Sequence, residues 1–261
     1  MKNEKDAMNL EVPHMSVTNL SKSFGSVDVL LSIDFDVAPG EIVAIVGPSG
    51  VGKTTLLRSL SGLTDLTGGQ VQVGKKLVNG PVEDIGLVFQ DYRGSLMPWM
   101  RTLENVAFPL QGKKIAKSKR EEIARRCLSD VGLHDAEALY PWELSGGMQQ
   151  RVAIARALAY DANILLMDEP FGSLDAQTKL VLEDLVLALQ RRLGISIILV
   201  THDIDEAVYM SDRVIVLNGK PASVVDVVDV DLGRDRQQIS TKSEPNFVEA
   251  RNRVMREIMG K

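Results

Sequence analysis

Polar and apolar positions alternate in the first part of the chain, which predicts β-strands. From Met15 to Val46 the sequence alternates and is rich in β-branched residues, with breaks at Gly25 and at the turn formed by residues 38–41. The last run of this region, Ile42–Val46, is apolar throughout, as a strand buried on both faces should be. Further strands are predicted at Val71–Val78, Ile85–Phe89, Ile164–Met167, Ile195–Val200 and Val214–Leu217.

Between the later strands, and throughout residues 92–160, the apolar positions change to the spacing of helices. The terminal helix carries Phe247, Val254 and Ile258 on one side. Strands and helices that alternate in this order indicate a mostly parallel sheet covered by helices, with a helical insertion. The predicted helices are Thr54–Leu60, Ser118–Val131, Gly146–Ala159, about 176–193, about 204–210 and Pro245–Met259.

Composition and charge exclude several classes of protein. The chain has 261 residues and a formal net charge of −5, which argues against a nucleic-acid binder with its usual basic face. The single cysteine, Cys127, excludes an internal disulfide and a cysteine-based zinc site. The polar lead-in at residues 1–13 shows no secretory signal, and no apolar run approaches the roughly 20 residues that span a bilayer. We therefore expect membrane contact only through partners.

The strongest chemical signal is a glycine-rich loop that follows the strand at Ile42–Val46. Its spacing is that of a phosphate-binding loop, in which backbone N–H groups and a helix N-terminus surround phosphate oxygens. Lys53 is expected to reach the β- and γ-phosphates of a nucleotide, and the Thr54 hydroxyl to ligate Mg²⁺. The alternative is a glycine-rich turn that matches by chance. The predicted nucleotide-binding residues of the loop are Gly47, Pro48, Ser49, Gly50, Val51, Gly52, Lys53, Thr54 and Thr55.

Two carboxylates follow the apolar strand Ile164–Met167 and supply the second half of such a site. In open α/β sheets ligands bind at the carboxyl ends of the strands, where Asp168 and Glu169 stand. Asp168 is predicted to hold Mg²⁺, directly or through water, and Glu169 to act as general base toward the attacking water. The alternative is a solvated turn, which is what a lone Asp-Glu pair after a strand usually forms.

The segment Leu144-Ser145-Gly146-Gly147-Met148 resembles the signature of ATP-binding cassette (ABC) ATPases. The resemblance implies that Ser145, Gly146 and Gly147 contact the γ-phosphate of ATP bound to the loop of a second subunit, so that hydrolysis requires a dimer. Met148 stands where the family most often has glutamine. Taken alone, the Ser-Gly-Gly sequence could also be a flexible linker or a helix cap.

Four further positions match the family one by one. The resemblance makes Gln90 the glutamine that senses Mg²⁺ and the attacking water, and His202 the switch histidine that contacts the γ-phosphate. Asp175 corresponds to the loop that crosses the dimer interface. Phe24 corresponds to the aromatic residue, more usually tyrosine, that stacks on adenine. Each has a structural alternative: a surface polar residue for Gln90 and Asp175, a helix cap for His202 and a core residue for Phe24. The predicted catalytic residues are Lys53, Gln90, Glu169 and His202, and the predicted metal ligands are Thr54, Gln90 and Asp168.

The resemblance covers roughly residues 15–220 and implies a fold as well. We expect an α/β protein: a P-loop NTPase core with a mostly parallel sheet, an N-terminal antiparallel β subdomain and an inserted helical subdomain. The nucleotide-binding domain is expected at 15–220, with the helical subdomain at about 92–160. A C-terminal strand and helix tail is expected at 221–261.

The same resemblance implies the ATP-hydrolysing subunit of an ABC importer, peripheral to the cytoplasmic face of the inner membrane. Its expected partners are a second cassette (as a homodimer or a pair), two transmembrane permease subunits and a solute-binding protein. Residues 92–110 correspond to the segment that docks a permease helix, although Trp99 could instead be core. Segments 96–99, 171–178 and 245–249 are similar to importers of nitrate, sulfonate, taurine and related small solutes. The alternatives are efflux, a non-transport ABC protein of DNA repair or translation, and a non-hydrolysing ATP-binding regulator.

Overall fold

The computed structural model describes residues 14–260, apart from the side chains of Tyr92 and Arg93. The polar lead-in at residues 1–13 lies outside the described residues. The strands within this range are β1 (Met15–Phe24), β2 (Val27–Val37), β3 (Ile42–Val46), β4 (Gly68–Val73), β5 (Lys76–Leu77), β6 (Ile85–Val88), β7 (Ile164–Asp168), β8 (Ser196–Val200), β9 (Arg213–Asn218) and β10 (Ser223–Asp229). The α-helices are α1 (Lys53–Leu60), α2 (Tyr92–Ser95), α3 (Thr102–Ala107), α4 (Lys117–Asp130), α5 (Gly146–Ala159), α6 (Ala176–Leu193), α7 (Ile204–Met210) and α8 (Pro245–Met259). Short 3₁₀ helices lie at Phe108–Gln111, Pro141–Glu143 and Thr241–Ser243.

A six-stranded sheet forms the centre of the molecule, in the order β10-β9-β3-β8-β7-β6. Its strands pair in parallel except for β10, which is antiparallel to β9. Along β3, Val43 and Ile45 belong to one hydrophobic core and Ala44 and Val46 to the other. Because successive side chains of a strand point to opposite faces, β3 is buried on both sides. This explains its uninterrupted apolar sequence.

A second sheet, in the order β2-β1-β4-β5, is antiparallel and is built mainly from the N-terminal segment. The predicted single strand over Val71–Val78 is wrong. β4 ends at Val73, the chain turns at Gly74, and the two-residue β5 returns antiparallel to β4. The φ angle of Gly74 is 56°, a value that glycine adopts without steric cost. The other predicted strands agree with the structure within one or two residues at either end.

Helices α2 to α5 follow β6 and pack against one another before the chain re-enters the central sheet at β7. α4 buries Ala124, Cys127 and Leu128, which share one side of the helix at the i, i+3, i+4 spacing. α5 lies between this group of helices and the sheet, and it buries residues on most of its circumference. The predicted fold class, with an antiparallel N-terminal sheet and a parallel-rich sheet with helices, is confirmed.

The C-terminal segment adds a strand and a helix at one edge of the central sheet. β10 extends the sheet beside β9, and α8 packs on both strands. α8 buries Phe247, Ala250 and Val254, and Ile258 is partly buried against the same core. The predicted apolar side of this helix therefore points inward. No helix within residues 14–260 is long and apolar enough to cross a membrane.

Candidate active site

The glycine-rich loop turns sharply between β3 and α1. Gly50 and Gly52 have φ angles of 74° and 114°, where a Cβ atom would be strained. At Gly47 a side chain is excluded for another reason, because its Cβ would overlap the backbone carbonyl oxygen of Leu217 in β9. The first backbone bond of α1 runs from the Leu56 N–H to the Gly52 carbonyl at 2.8 Å. An α-helix leaves its initial N–H groups without intrahelical partners, so the loop ends in a group of donors suited to an anion.

Lys53 lies beneath this loop. Its Nζ donates to the carbonyl oxygens of Gly47 at 2.9 Å and Pro48 at 3.2 Å, and the residue is only 6% exposed. Burial lowers the pKa of Lys53 below its ordinary value, and the carboxylates of Glu169 and Asp168 oppose that shift. The lysine is thus a positive charge held at the centre of the loop, close to two acidic groups.

Asp168 is the last residue of β7 and is buried. Its Oδ1 accepts a long hydrogen bond of 3.4 Å from Thr54 Oγ1, on the first turn of α1. Burial raises the pKa of Asp168 above its ordinary value, while the bond from Thr54 opposes the shift. The strand and the helix therefore bring one carboxylate and one hydroxyl together, both of them oxygen ligands of the kind that Mg²⁺ prefers.

Glu169 is the next residue along the chain, and its carboxylate contacts side chains that follow the two neighbouring strands. Its Oε2 accepts from Gln90 Nε2 at 3.0 Å and lies 3.0 Å from His202 Nδ1. Its backbone N–H donates to the carbonyl of Val200 at 2.8 Å. Glu169 also has a φ of 43°, an uncommon conformation for a residue with a side chain. The chain leaves the axis of β7 at this point, and such backbone outliers cluster at functional sites.

These elements surround an open cleft of about 540 Å³ at the carboxyl ends of the parallel strands. Every residue that lines it is among the predicted site residues: Ser49, Gly50, Gly52, Lys53, Thr54, Gln90, Glu169 and His202. The cleft therefore combines free backbone donors, a buried lysine, a carboxylate and an imidazole. It can bind a phosphorylated ligand at the loop and hold a water near the carboxylate.

Ser145, Gly147 and Asp175 do not line this cleft. Ser145 caps α5, with its Oγ accepting from the Met148 N–H at 3.3 Å. Asp175 caps α6, with its Oδ1 accepting from the Thr178 N–H at 3.0 Å. Hydrogen bonds from the Thr178 side chain, and then from its backbone, hold the pKa of Asp175 below its ordinary value. Within one chain, both residues thus act as helix caps.

The first turns of α5 and α6 are in close contact, which the sequence did not predict. A Cβ added to Gly147 in α5 would lie 2.5 Å from Thr178 Cγ2 in α6. The available signal was weak, since Thr178 is only the third residue of a helix that begins after an aspartate. Sequence spacing could not place that turn against Gly147.

Phe24 and Trp99 are both on the surface. Phe24, at the end of β1, is 53% exposed, and Lys22 Nζ lies 4.7 Å from its ring centroid. Trp99, between α2 and α3, is 71% exposed. The alternatives that place either residue in the core are therefore wrong. Phe24 does not line the cleft around the glycine-rich loop.

Comparison with known proteins identifies the family. The family described as "ABC transporter" matches residues 30–172, more than half of the chain. The chain belongs to the ABC transporter family. An uncharacterised ABC transporter ATP-binding protein of Methanocaldococcus jannaschii is 44% identical to it over 256 residues, which cover 97% of this chain and 92% of that protein. The taurine import ATP-binding protein TauB of Escherichia coli O157:H7 is 40% identical over 245 residues, covering 92% of this chain and 95% of TauB.

A solved structure extends the comparison to the fold. The ATP-binding cassette MJ0796, in a dimeric post-hydrolysis state bound to ADP and Pi, is similar to this ABC ATPase with a TM-score of 0.72 and 33% identity. The match covers 83% of this chain and 99% of that cassette. Family and fold together make the chain an ATP-binding subunit of an ABC transporter with ATPase activity.

The cleft of the ABC ATPase fits a magnesium nucleotide. Within residues 14–260 no group of three or more His, Cys, Asp and Glu side chains could hold a metal ion. The adjacent oxygens of Thr54 and Asp168 would suit Mg²⁺, because that ion usually takes one or two protein ligands and completes its shell with phosphate oxygens and water.

Proposed function

We propose that this chain is the ATP-hydrolysing subunit of an ABC importer, which energises the uptake of a small solute by ATP-driven closure of a dimer. The observation that carries the proposal is the convergence of Lys53, Glu169, Gln90 and His202 around one cleft beside the phosphate loop. Asp168 does not line the cleft but is hydrogen-bonded to Thr54, which does. The proposed ligands are ATP and Mg²⁺. Thr54, Gln90 and Asp168 would hold the ion, which when bound neutralises charge on the phosphate oxygens.

The phosphate loop binds ATP through charge and backbone geometry. The donors at residues 47–55 surround the phosphates, and Lys53 exchanges its bonds to two loop carbonyls for the β- and γ-phosphate oxygens. Phe24, the last residue of β1, offers an exposed ring to adenine.

Glu169 is the proposed general base. The Gln90 amide and the His202 imidazole both contact Oε2 of this carboxylate, which would accept a proton from a water held in the cleft. His202 orients that carboxylate and contacts the γ-phosphate, and Gln90 orients the same carboxylate through its amide N–H. General-base catalysis contributes about 10²- to 10⁴-fold in rate, so removing the carboxylate should almost abolish turnover while leaving ATP binding intact.

The active site is proposed to be complete only in a dimer. The observation in support is that Ser145 and Asp175 are exposed at the starts of α5 and α6 and, with Gly146 and Gly147, do not line the cleft of their own chain. The start of α5 offers free N–H groups to an anion supplied by a second copy. The dimeric state of the related cassette with ADP and Pi supports the same arrangement.

We further propose the partners and the solute class. TauB, by its name a taurine import protein, is 40% identical to this chain, which supports import of a small solute such as a sulfonate, nitrate or taurine. Two transmembrane permeases, with a solute-binding protein, would supply the membrane path and the specificity. The exposed Trp99, within the segment 92–110, is a suitable contact for a permease helix. The subunit would lie at the cytoplasmic face of the inner membrane.

We propose a division of the chain that follows these roles. Residues 15–220 form the nucleotide-binding domain, with a helical subdomain inserted at about 92–160. Residues 221–261 form a tail whose strand β10 and helix α8 pack on β9.

Glu169→Gln tests the proposal. With Mg-ATP, this variant is expected to change from monomer to dimer in light scattering, because it binds ATP but cannot hydrolyse it and reopen. Glu249→Gln, the same chemical change at an exposed position of α8, is the matched control and should hydrolyse ATP at the wild-type rate. If Glu169→Gln retained turnover, Glu169 would not be the general base. If the variant bound ATP and stayed monomeric, the proposed closure of the dimer would be wrong.

A further inference from the structure

A cluster of charged side chains lies between α6 and the start of α7. Lys179 Nζ is 2.6 Å from Asp203 Oδ2, 2.6 Å from Glu206 Oε2 and 3.9 Å from Glu183 Oε1. Glu183 and Glu206 are almost completely buried, at 0% and 3% exposure, and each has one carboxylate oxygen without a hydrogen bond. Lys179 therefore contacts three carboxylates, of which Glu183 and Glu206 are buried where an ion pair is poorly screened by solvent and Asp203 is partly exposed.

One of these carboxylates belongs to the residue after His202. The Asp203 N–H donates to Thr201 Oγ1 at 3.1 Å, so the residues on both sides of the histidine are bonded to each other. Asp203 Oδ1 accepts from the Glu206 N–H at 3.1 Å and caps α7. Asp203 is therefore held by hydrogen bonds directly beside His202, whose imidazole Nδ1 lies 3.0 Å from Glu169 Oε2.

Lys179 is itself tied to the start of α6. The backbone N–H of Lys179 donates to the backbone carbonyl of Asp175 at 2.9 Å, in the first turn of the helix. Asp175 is the exposed cap of that helix. The first turn of α6 therefore carries the ammonium group that bonds Asp203 in the histidine loop, residues 201–203.

We propose that Lys179 is a positioning residue for His202. Its ion pair with Asp203 joins the first turn of α6 to the histidine loop and holds the imidazole at 3.0 Å from Glu169. The inference rests on the proposed function, since it gives Lys179 a role in turnover only if His202 faces the γ-phosphate.

A spectroscopic test reads the position of His202 without using activity. The chain has three histidines, so a ¹³C–¹H correlation spectrum of the ring Cε1 groups can be assigned by comparison with His202→Gln. Lys179→Met keeps the length of the side chain and removes its charge, and it is expected to shift or broaden the His202 signal and leave the other two in place. Lys179→Arg should restore the wild-type spectrum.

Lys242→Met is the matched control. Lys242 Nζ lies 3.8 Å from Glu183 Oε2, so this variant removes a positive charge from the same cluster without touching Asp203. It should leave the His202 signal unchanged. Thermal unfolding of each variant is measured beside the spectra, and if Lys179→Met does not fold, Asp203→Asn takes its place because asparagine retains the helix cap and weakens the ion pair.

ATP hydrolysis supplies the second readout. Lys179→Met is expected to lower kcat about 10- to 100-fold, as misplaced catalytic groups do, with KM for ATP within about twofold of wild type. Lys179→Arg and Lys242→Met should both stay within about threefold of the wild-type kcat. The inference would be overturned if Lys179→Met had the wild-type spectrum and kcat. It would also be overturned if Lys179→Met and Lys242→Met lowered kcat equally. A wild-type protein that hydrolyses no ATP would instead overturn the proposed function, and the histidine spectra would still decide the role of Lys179.

Discussion

Replacing Gly47 by alanine tests whether the phosphate loop is built directly against the backbone of β9. The added Cβ would overlap the carbonyl oxygen of Leu217, a backbone atom that cannot rotate away. β9 is held between β3 and β10, so the loop and the strand must separate by about 1 Å to reach ordinary van der Waals contact. Overpacking of this kind costs about 1–3 kcal/mol of folding free energy.

Urea unfolding followed by circular dichroism measures this cost, and titration with a fluorescent ATP analogue measures its effect on the loop. We expect Gly47→Ala to lose about 1–3 kcal/mol of stability and to bind the nucleotide at least about tenfold more weakly, because displaced N–H groups no longer fit the phosphates. Gly68→Ala is the matched control, since its Cβ would make an ordinary contact of 3.7 Å with Ser21 Cβ. This variant should be unchanged or more stable by about 0.4–1 kcal/mol. Wild-type stability and affinity in Gly47→Ala would refute the steric argument.

Three further predictions concern the core, the single cysteine and an ion pair. Phe247→Ala removes a side chain that is 1% exposed and should cost about 3–5 kcal/mol in urea unfolding, whereas Met259→Ala, at a position 62% exposed, should change stability by less than about 0.5 kcal/mol. Burial raises the pKa of Cys127 to about 11, so a thiol reagent at about pH 8 should label the native protein at least about 100-fold more slowly than the unfolded protein, and equal rates would contradict the burial. Arg253 donates to both carboxylate oxygens of Asp226, at 2.7 and 2.6 Å, and holds the pKa of Asp226 below its ordinary value. Because the pair is partly exposed, it should contribute at most about 1 kcal/mol, fully present above the ordinary carboxyl pKa and lost as the pH falls through the lowered folded value. Asp226→Asn should therefore lower Tm at about pH 7 and have little effect at about pH 2, and an equal loss at both values would argue against the ion pair.

The sequence alone was sufficient to predict an element where the cause of its structure lies within one short segment. β3 could be predicted because burial on both faces demands an uninterrupted apolar run. α8 begins and ends where its sequence indicates, since proline favours the first helical position and Gly260 takes the left-handed conformation that ends a helix. The turn at Gly74 was missed because it interrupts an alternating run, and the two-residue β5 is held by pairing with β4 rather than by its own residues.

For the site, the sequence by itself determined the chemical groups, because loop spacing and motif residues are properties of short segments. Only the tertiary structure decided the distances between them. Gln90 and Glu169 are 79 residues apart in the chain and meet at 3.0 Å because β6 and β7 pair in parallel, with His202 added by β8 beside them. The exposure of Phe24 and Trp99 was also undecided by sequence, since the exposure of an aromatic ring depends on what packs against it from distant parts of the chain.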